Sequence, residues 1–314
     1  MYFMKGMLFF RQDENMKRSI ISILLSISLI FSFCTISLNV QAAASTDIFG
    51  DANNDGKINV LDLLCLRKYI AKCSVTVNQT NADLNFDNNI NLLDVIIMRK
   101  GLIGIIDFSE LKPPKYIALT FDDGPNTYAT PDILTQLKLN KVPATFFVIG
   151  CNIKTETEPI LQRTIDAGHE IANHSYSHQN MTGMTAEQIK EEIAKTDELL
   201  YDKFGITTNF FRPPYIAVNT AMYDNIDQTF IAGLDSTDWS NDVTAEQVAD
   251  NIKQKATDGT IILLHDSQSK NANVLRKIIP YLKEQGFTFV TLSDMFRLKN
   301  ITPEEYVTYS NVYN

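Results

Sequence analysis

From residue 116 onward, short apolar runs alternate with longer stretches in which apolar residues recur every three or four positions. The runs at 116–121, 144–148, 170–173, 209–211, 229–234, 260–264 and 288–291 predict strands, and the stretches between them predict helices. Two helices open with the same capping box, Thr185-Ala186-Glu187-Gln188 and Thr244-Ala245-Glu246-Gln247. About seven strands joined by helices imply a parallel sheet. The expected class is α/β, a distorted or incomplete (β/α) barrel rather than an open sheet.

Upstream, the pattern changes twice. Residues 20–36 form an apolar stretch preceded by Lys17-Arg18 and followed by Ala42-Ala43-Ala44, so residues 1–44 read as a signal peptide, with Met16 as an alternative start. Cys34 follows Phe33 rather than a small residue, which argues against lipid attachment. Residues 47–106 contain a repeat: the loop from Asp51 to Asp62 returns 32 residues later from Asp83 to Asp94. Loop positions 1, 3, 5, 9 and 12 carry Asp51, Asn53, Asp55, Asn59 and Asp62, then Asp83, Asn85, Asp87, Asn91 and Asp94. Such oxygen donors suit calcium, with Lys57 and Asn89 at position 7, where the backbone carbonyl is the ligand. Gly56 and Asn88 stand at position 6, where the chain must turn sharply. Each loop runs into an apolar helical pattern, giving a small all-α calcium-binding domain. Residues 107–115, with Pro113-Pro114, read as a semi-stiff linker to a catalytic domain at 116–298 and a tail at 299–314.

Composition narrows the class. The chain has 314 residues, 45% hydrophobic and 21% charged, with a formal net charge of −9. An acidic surface disfavours nucleic acid as a partner and suits a secreted protein that binds cations. The cysteines form no disulfide framework; Cys65, Cys73 and Cys151 are expected to be buried apolar residues.

The candidate chemistry lies where the strands end. Asp122 and Asp123 close the first strand before Gly124-Pro125, and His174 and His178 follow the third. One helical turn would bring these two imidazoles to one face. Asp123 or its neighbour, with the two histidines, makes a three-ligand site for a borderline divalent metal, leaving a carboxylate to act as base. Only four histidines exist in the chain. Arg212 follows the fourth strand, Asp235 and Asp238 the fifth, and His265 the sixth; a barrel gathers chemistry on that face. His169 precedes a strand and is read as structural. No G-x-S-x-G occurs, which disfavours a serine esterase.

Residues 116–298 resemble a NodB-homology polysaccharide deacetylase of carbohydrate esterase family four. The motifs Thr120-Phe121-Asp122-Asp123-Gly124, His174-Ser175-Tyr176-Ser177-His178, Arg212-Pro213-Pro214-Tyr215, Asp235-Ser236-Thr237-Asp238-Trp239 and Leu263-Leu264-His265 carry the likeness. It implies Asp123, His174 and His178 as metal ligands, zinc or cobalt being the expected ion, with Asp122 as general base and His265 as general acid. Arg212 would hold Asp122, Asp238 would orient His265, the Tyr215 N–H would meet the oxyanion, and Trp239 and Leu263 would wall the acetyl methyl pocket. The repeated loops resemble a type I dockerin, which implies two calcium ions and a cohesin partner. Val60, Leu61, Arg67 and Lys68, with Leu92, Leu93, Arg99 and Lys100, are the expected contacts. Together these likenesses imply a secreted, cellulosome-associated acetylxylan esterase. N-deacetylation of chitin or peptidoglycan is the alternative substrate class, and a non-catalytic carbohydrate-binding or scaffold protein is the alternative of another kind.

Overall fold

The computed structural model describes residues 47–313; the expected signal peptide, including Cys34, lies outside them. The first described elements are α1 (Val60–Ile70), the short α2 (Gln79–Ala82) and α3 (Leu92–Leu102). Asn59 and Asn91 cap α1 and α3, and Asp62 and Asp94 complete the capping boxes. The two loops therefore end by starting helices, with the same side chains serving both. A small core of Ala52, Leu66, Ala82, Leu84, Val95 and Met98 lies between the helices. Phe108 and Leu111 of the expected linker pack against it, and a Cβ on Gly101 would come within 2.2 Å of the Phe108 ring. The first part of that linker is thus committed to the small core.

The remainder runs β1 (Lys115–Gly124), α4 (Thr130–Asn140), β2 (Thr145–Val148), α5 (Glu158–Asp166), β3 (Glu170–Asn173), α6 (Ala186–Phe204), β4 (Phe210–Phe211) and α7 (Thr220–Tyr223). It continues with β5 (Thr229–Ile231), β6 (Leu234–Asp235), α8 (Ala245–Lys255), β7 (Thr260–His265), α9 (Asn271–Glu284), β8 (Phe287–Phe289), α10 (Leu292–Leu298) and β9 (Thr308–Tyr309). The sheet order is β6-β7-β1-β2-β3-β4-β5-β9, with β8 pairing the start of β1. Every pairing of named strands is parallel, and the sheet curls into a half-barrel, as the alternation of strands and helices predicts.

β1 sits at the centre and is buried on both faces, which accounts for its unbroken apolar run. Ile117, Leu119 and Phe121 join the core under α4, α8 and α9, whereas Ala118 belongs to a second core with Phe147, Ala172, Ile261 and α10. Strand alternation then sends Asp122 toward the same side as Ala118 and Thr120.

Two features depart from the sequence reading. The run at 229–234 is two strands, not one: β5 pairs β4, while β6 pairs β7 at the far end of the sheet order. Gly233, at φ 94°, makes the turn between them. The tail is also part of the sheet. β9 pairs β5, Asn311 bridges Thr260 at the start of β7, and Val312 is buried in the second core. A pattern of two residues is too short to reveal such a strand.

Candidate active site

Parallel register puts the chemistry on neighbouring strands. Asp122 pairs with His265 across β1 and β7, and the N–H of His174 bonds Val148 at the end of β2. Arg212 follows β4 and donates its N–H to the Asn173 carbonyl.

Asp123, His174 and His178 offer three ligand atoms that all lie within 4.8 Å of one another, the one such cluster found among the described residues. His174 Nε2 and His178 Nε2 stand 3.6 and 3.4 Å from Asp123 Oδ1. That oxygen is buried and makes no hydrogen bond. His174 Nδ1 lies 2.6 Å from the Arg212 carbonyl, an atom that can only accept, so Nδ1 carries the proton and Nε2 presents its lone pair to the cluster. An unpaired carboxylate oxygen and an imidazole lone pair aimed at one point fit a divalent metal.

The imidazoles do not meet by a helical turn. Residues 174–178 form an irregular loop in which Ser175 and His178 adopt left-handed backbone, φ 63° and 58°. Buried Asn173 ties this loop down by accepting the Ser175 N–H, and the Glu192 carboxylate of α6 accepts those of Tyr176 and Ser177. The spacing was informative and the helix inferred from it was wrong.

Two carboxylate pairs flank the cluster. Arg212 is fully buried, donates to Asp122 Oδ1 at 2.6 Å and lies over the Phe147 ring at 4.1 Å. Burial pulls its pKa below the usual guanidinium value, opposed by the Asp122 charge and hydrogen bond. On the other flank, buried Asp238 accepts from His265 Nδ1 at 2.8 Å and from the His265 N–H at 2.7 Å. Burial works against protonation of His265, but the Asp238 hydrogen bond and charge, helped by Asp122 and Asp123, raise it to about 9. Burial likewise opposes ionisation of Asp123. The adjoining His174, with His265 and His178 nearby, overcomes this and brings Asp123 down to about 2.

Other positions are settled by contacts. Tyr215, at φ 60°, rests its ring against His178 at 5.0 Å, and Leu263 is buried on β7. Trp239 is 58% exposed, with its indole N–H 3.2 Å from Asp235, so it is not a core residue. His169 is buried away from the cluster, its Nδ1 accepting the Ala144 N–H, and burial lowers its pKa to about 4. The cysteines were misjudged: Cys73 and Cys151 are exposed and Cys65 is half-buried, because each lies on an outer surface that apolar character alone does not reveal. Sequence reasoning also missed Asn271, which donates to Asp238 and to the His265 carbonyl, and Asp266, buried beside them. Burial, with the Asp123 and Asp122 charges, pushes the Asp266 carboxyl up to about 8 against the Thr130 hydrogen bond.

In the small domain, Asp51 accepts from the Asp55 and Gly56 N–H groups, and Asp62 from those of Asn53 and Asn59. The second loop repeats this with Asp83 and Asp94. Gly56 and Asn88 take the left-handed turn, φ 80° and 61°. Carboxylates and amide oxygens in this pattern suit a hard cation. Val60, Leu61, Leu92 and Leu93 are all more than half exposed, an apolar surface repeated on α1 and α3.

A family model described as polysaccharide deacetylase matches residues 110–230, and one described as dockerin type I domain matches residues 49–103. A peptidoglycan-N-acetylglucosamine deacetylase of Bacillus cereus is 37% identical over 190 residues, 58% of this chain and 68% of that one. The chain belongs to the polysaccharide deacetylases. This deacetylase domain is preceded by a type I dockerin domain. A bifunctional xylanase/deacetylase of Pseudobutyrivibrio xylanivorans is 46% identical over 201 residues, 63% of this chain but only 33% of that longer protein. A family 4 acetyl xylan esterase from Clostridium thermocellum, solved in complex with a cobalt ion, aligns with TM-score 0.61 and 40% identity over 63% of this chain and 99% of that one.

Proposed function

We propose that this chain is an exported, dockerin-borne acetylxylan esterase that removes O-acetyl groups from plant cell-wall xylan. The observation that carries the reaction is the Asp123–His174–His178 cluster, lying between an Arg-held carboxylate and an Asp-held imidazole. Asp123, His174 Nε2 and His178 Nε2 would hold one divalent ion, zinc or cobalt suiting the donor set; when bound, such an ion polarises an acyl oxygen and acidifies water. Asp122 takes the proton of the attacking water while Arg212 holds its carboxylate in place. The Tyr215 N–H donates to the oxyanion that forms on the acetyl carbonyl. His265, oriented through Nδ1 by Asp238, gives its Nε2 proton to the departing sugar oxygen. Acetate and a free sugar hydroxyl result. Trp239 and Leu263 wall the methyl group.

The ester substrate is favoured by the relatives' names and by the dockerin. The relative at 46% identity is a xylanase/deacetylase, against 37% for the peptidoglycan enzyme. In the dockerin, the Asp51–Asp62 and Asp83–Asp94 loops take two calcium ions. Val60, Leu61, Leu92 and Leu93, with the basic pairs Arg67-Lys68 and Arg99-Lys100, meet a cohesin. Such a partner places the enzyme outside the cell on a scaffold.

The test is acetate release from acetylated xylan, chitooligosaccharide and peptidoglycan in parallel. We expect acetylxylan to be turned over at least tenfold faster and all release to stop with a transition-metal chelator. A clear preference for an N-acetyl polymer overturns the substrate choice. Undiminished release by Asp122→Asn or His265→Ala overturns the mechanism.

A further inference from the structure

A groove of about 470 Å³ adjoins the catalytic cluster, and its wall includes Asp123, His178, Asn126, Tyr128, Asn152 and Lys154. That space lies within the range of sites that hold whole small molecules, well beyond the needs of an acetyl group. Tyr128 is 63% exposed, and among the described residues its ring stacks on no other aromatic side chain.

The loop beneath that ring is pinned. Asn126 Oδ1 accepts the N–H groups of Tyr128, Ala129 and Thr130 at 3.2, 2.7 and 3.3 Å. Asn126 Nδ2 donates to the Asp266 carbonyl, and the Thr130 hydroxyl donates to the Asp266 carboxylate, both at 2.7 Å. Asp266 is 1% exposed, and its other carboxylate oxygen has no partner. It also crowds the catalytic turn: a Cβ on Gly124 would fall 2.1 Å from its carboxylate. The loop that carries Tyr128 is therefore fastened to a buried side chain that also packs against the turn carrying Asp123. An aromatic ring held outward on a fixed loop suits a ligand with an apolar face, because little ordering is left to occur on binding.

We propose that Tyr128 is a sugar-stacking residue for the backbone unit next to the acetylated one, and that Asp266 is the positioning residue that holds it there. A pyranose presents a face of C–H groups to such a ring and its hydroxyls to the groove's polar wall. The inference rests on the deacetylase reading of the site. It gives that reading a polymer direction, running from the cluster over Tyr128.

Calorimetric binding of unacetylated xylohexaose and of chitohexaose tests it without requiring turnover. Tyr128→Ala should weaken the better-bound of the two about tenfold, the scale of an aromatic contact, while Tyr128→Phe restores binding. Acetate release from acetylated xylooligosaccharides should show the same tenfold rise in KM for Tyr128→Ala with kcat held within about twofold. Asp266→Asn keeps the Thr130 contact and should bind near the wild-type level, whereas Asp266→Ala should weaken sugar binding as Tyr128→Ala does and lower kcat as well, because it also unpacks the turn that carries Asp123. Equal affinities for wild type and Tyr128→Ala, or no binding of either sugar by the wild type, overturn the proposal. A loss confined to kcat does so too. Failure of the deacetylase reading looks different: no acetate is released by the wild type from any substrate, whatever the binding results.

Discussion

A buried imidazole ordinarily loses proton affinity, because a low-dielectric surrounding penalises the cation. His169 obeys that rule and falls to about 4, whereas His265 rises to about 9 although it too is largely enclosed. The difference is Asp238, which contacts both Nδ1 and the backbone N–H of His265. In the proposed role of general acid, His265 needs its proton at the working pH, so this contact would set the alkaline limb of the reaction. The sign follows from the raised value: the protonated ring persists below about 9 and is lost above it. The same shift makes the His265–Asp238 pair stabilise the fold fully below about 6.5, a contribution lost as pH climbs through 9. Asp238→Asn removes the opposing charge and leaves the burial, so we expect the alkaline limb of kcat to move down by about two pH units. A bound dication lowers the limb in both proteins by repulsion, which leaves their difference as the quantity to measure. Identical pH–rate profiles would rule out Asp238 as the group that holds the proton.

At the scale of the element, Gly233 lets the chain turn closely past Arg212. It lies in the turn between β5 and β6, which sit at different places in the sheet order. A Cβ there would stand 3.1 Å from both Arg212 Nη2 and the Ile261 carbonyl, on backbone at φ 94°. Gly205, the left-handed cap of α6 at φ 67°, has nothing within 4 Å. Both glycines sit on backbone that penalises alanine, Gly233 further from the left-handed helical region than Gly205, and only Gly233 would also crowd its neighbours. Gly205→Ala should cost about 1 kcal/mol in chemical denaturation and leave acetate release unchanged. Gly233→Ala should cost roughly 2–3 kcal/mol and also lower kcat, because the guanidinium that holds Asp122 must shift. Equal effects on activity would separate the turn from the site. The same element explains what the sequence could tell. Capping boxes at Thr185 and Thr244 were legible because both partners lie within four residues. Asp122, Arg212 and His265 were legible because strand ends are marked by where apolar runs stop. The split at Gly233 was not, since pairing partners are chosen by distant strands. Nor were Asn271, Asn173 and Glu192, whose contacts reach across the fold to residues that no local pattern connects.

Across the whole molecule, the two domains depend on different kinds of cohesion. The deacetylase domain has a large continuous core beneath its helices, while the dockerin core is six buried apolar side chains. So small a core leaves little margin against chain entropy. Its loops add a further cost, since each carries three carboxylates within twelve residues, Asp51, Asp55 and Asp62 in one and Asp83, Asp87 and Asp94 in the other. Cations that neutralise such sets bind the folded state far better than the unfolded chain, and their binding energy becomes folding energy. Removing calcium should therefore melt α1 and α3 and abolish capture by a cohesin, while acetate release persists, because no calcium-loop residue lines the Asp123–His174–His178 cluster. Calorimetric titration of the stripped protein should find two calcium sites, with Asp62→Ala and Asp94→Ala each removing one. A calcium-selective chelator such as EGTA, used with the transition metal resupplied, separates the two effects in one preparation. Loss of acetate release in step with loss of helical signal would mean that the dockerin loops support the catalytic domain directly, and that the two halves of the chain do not act independently.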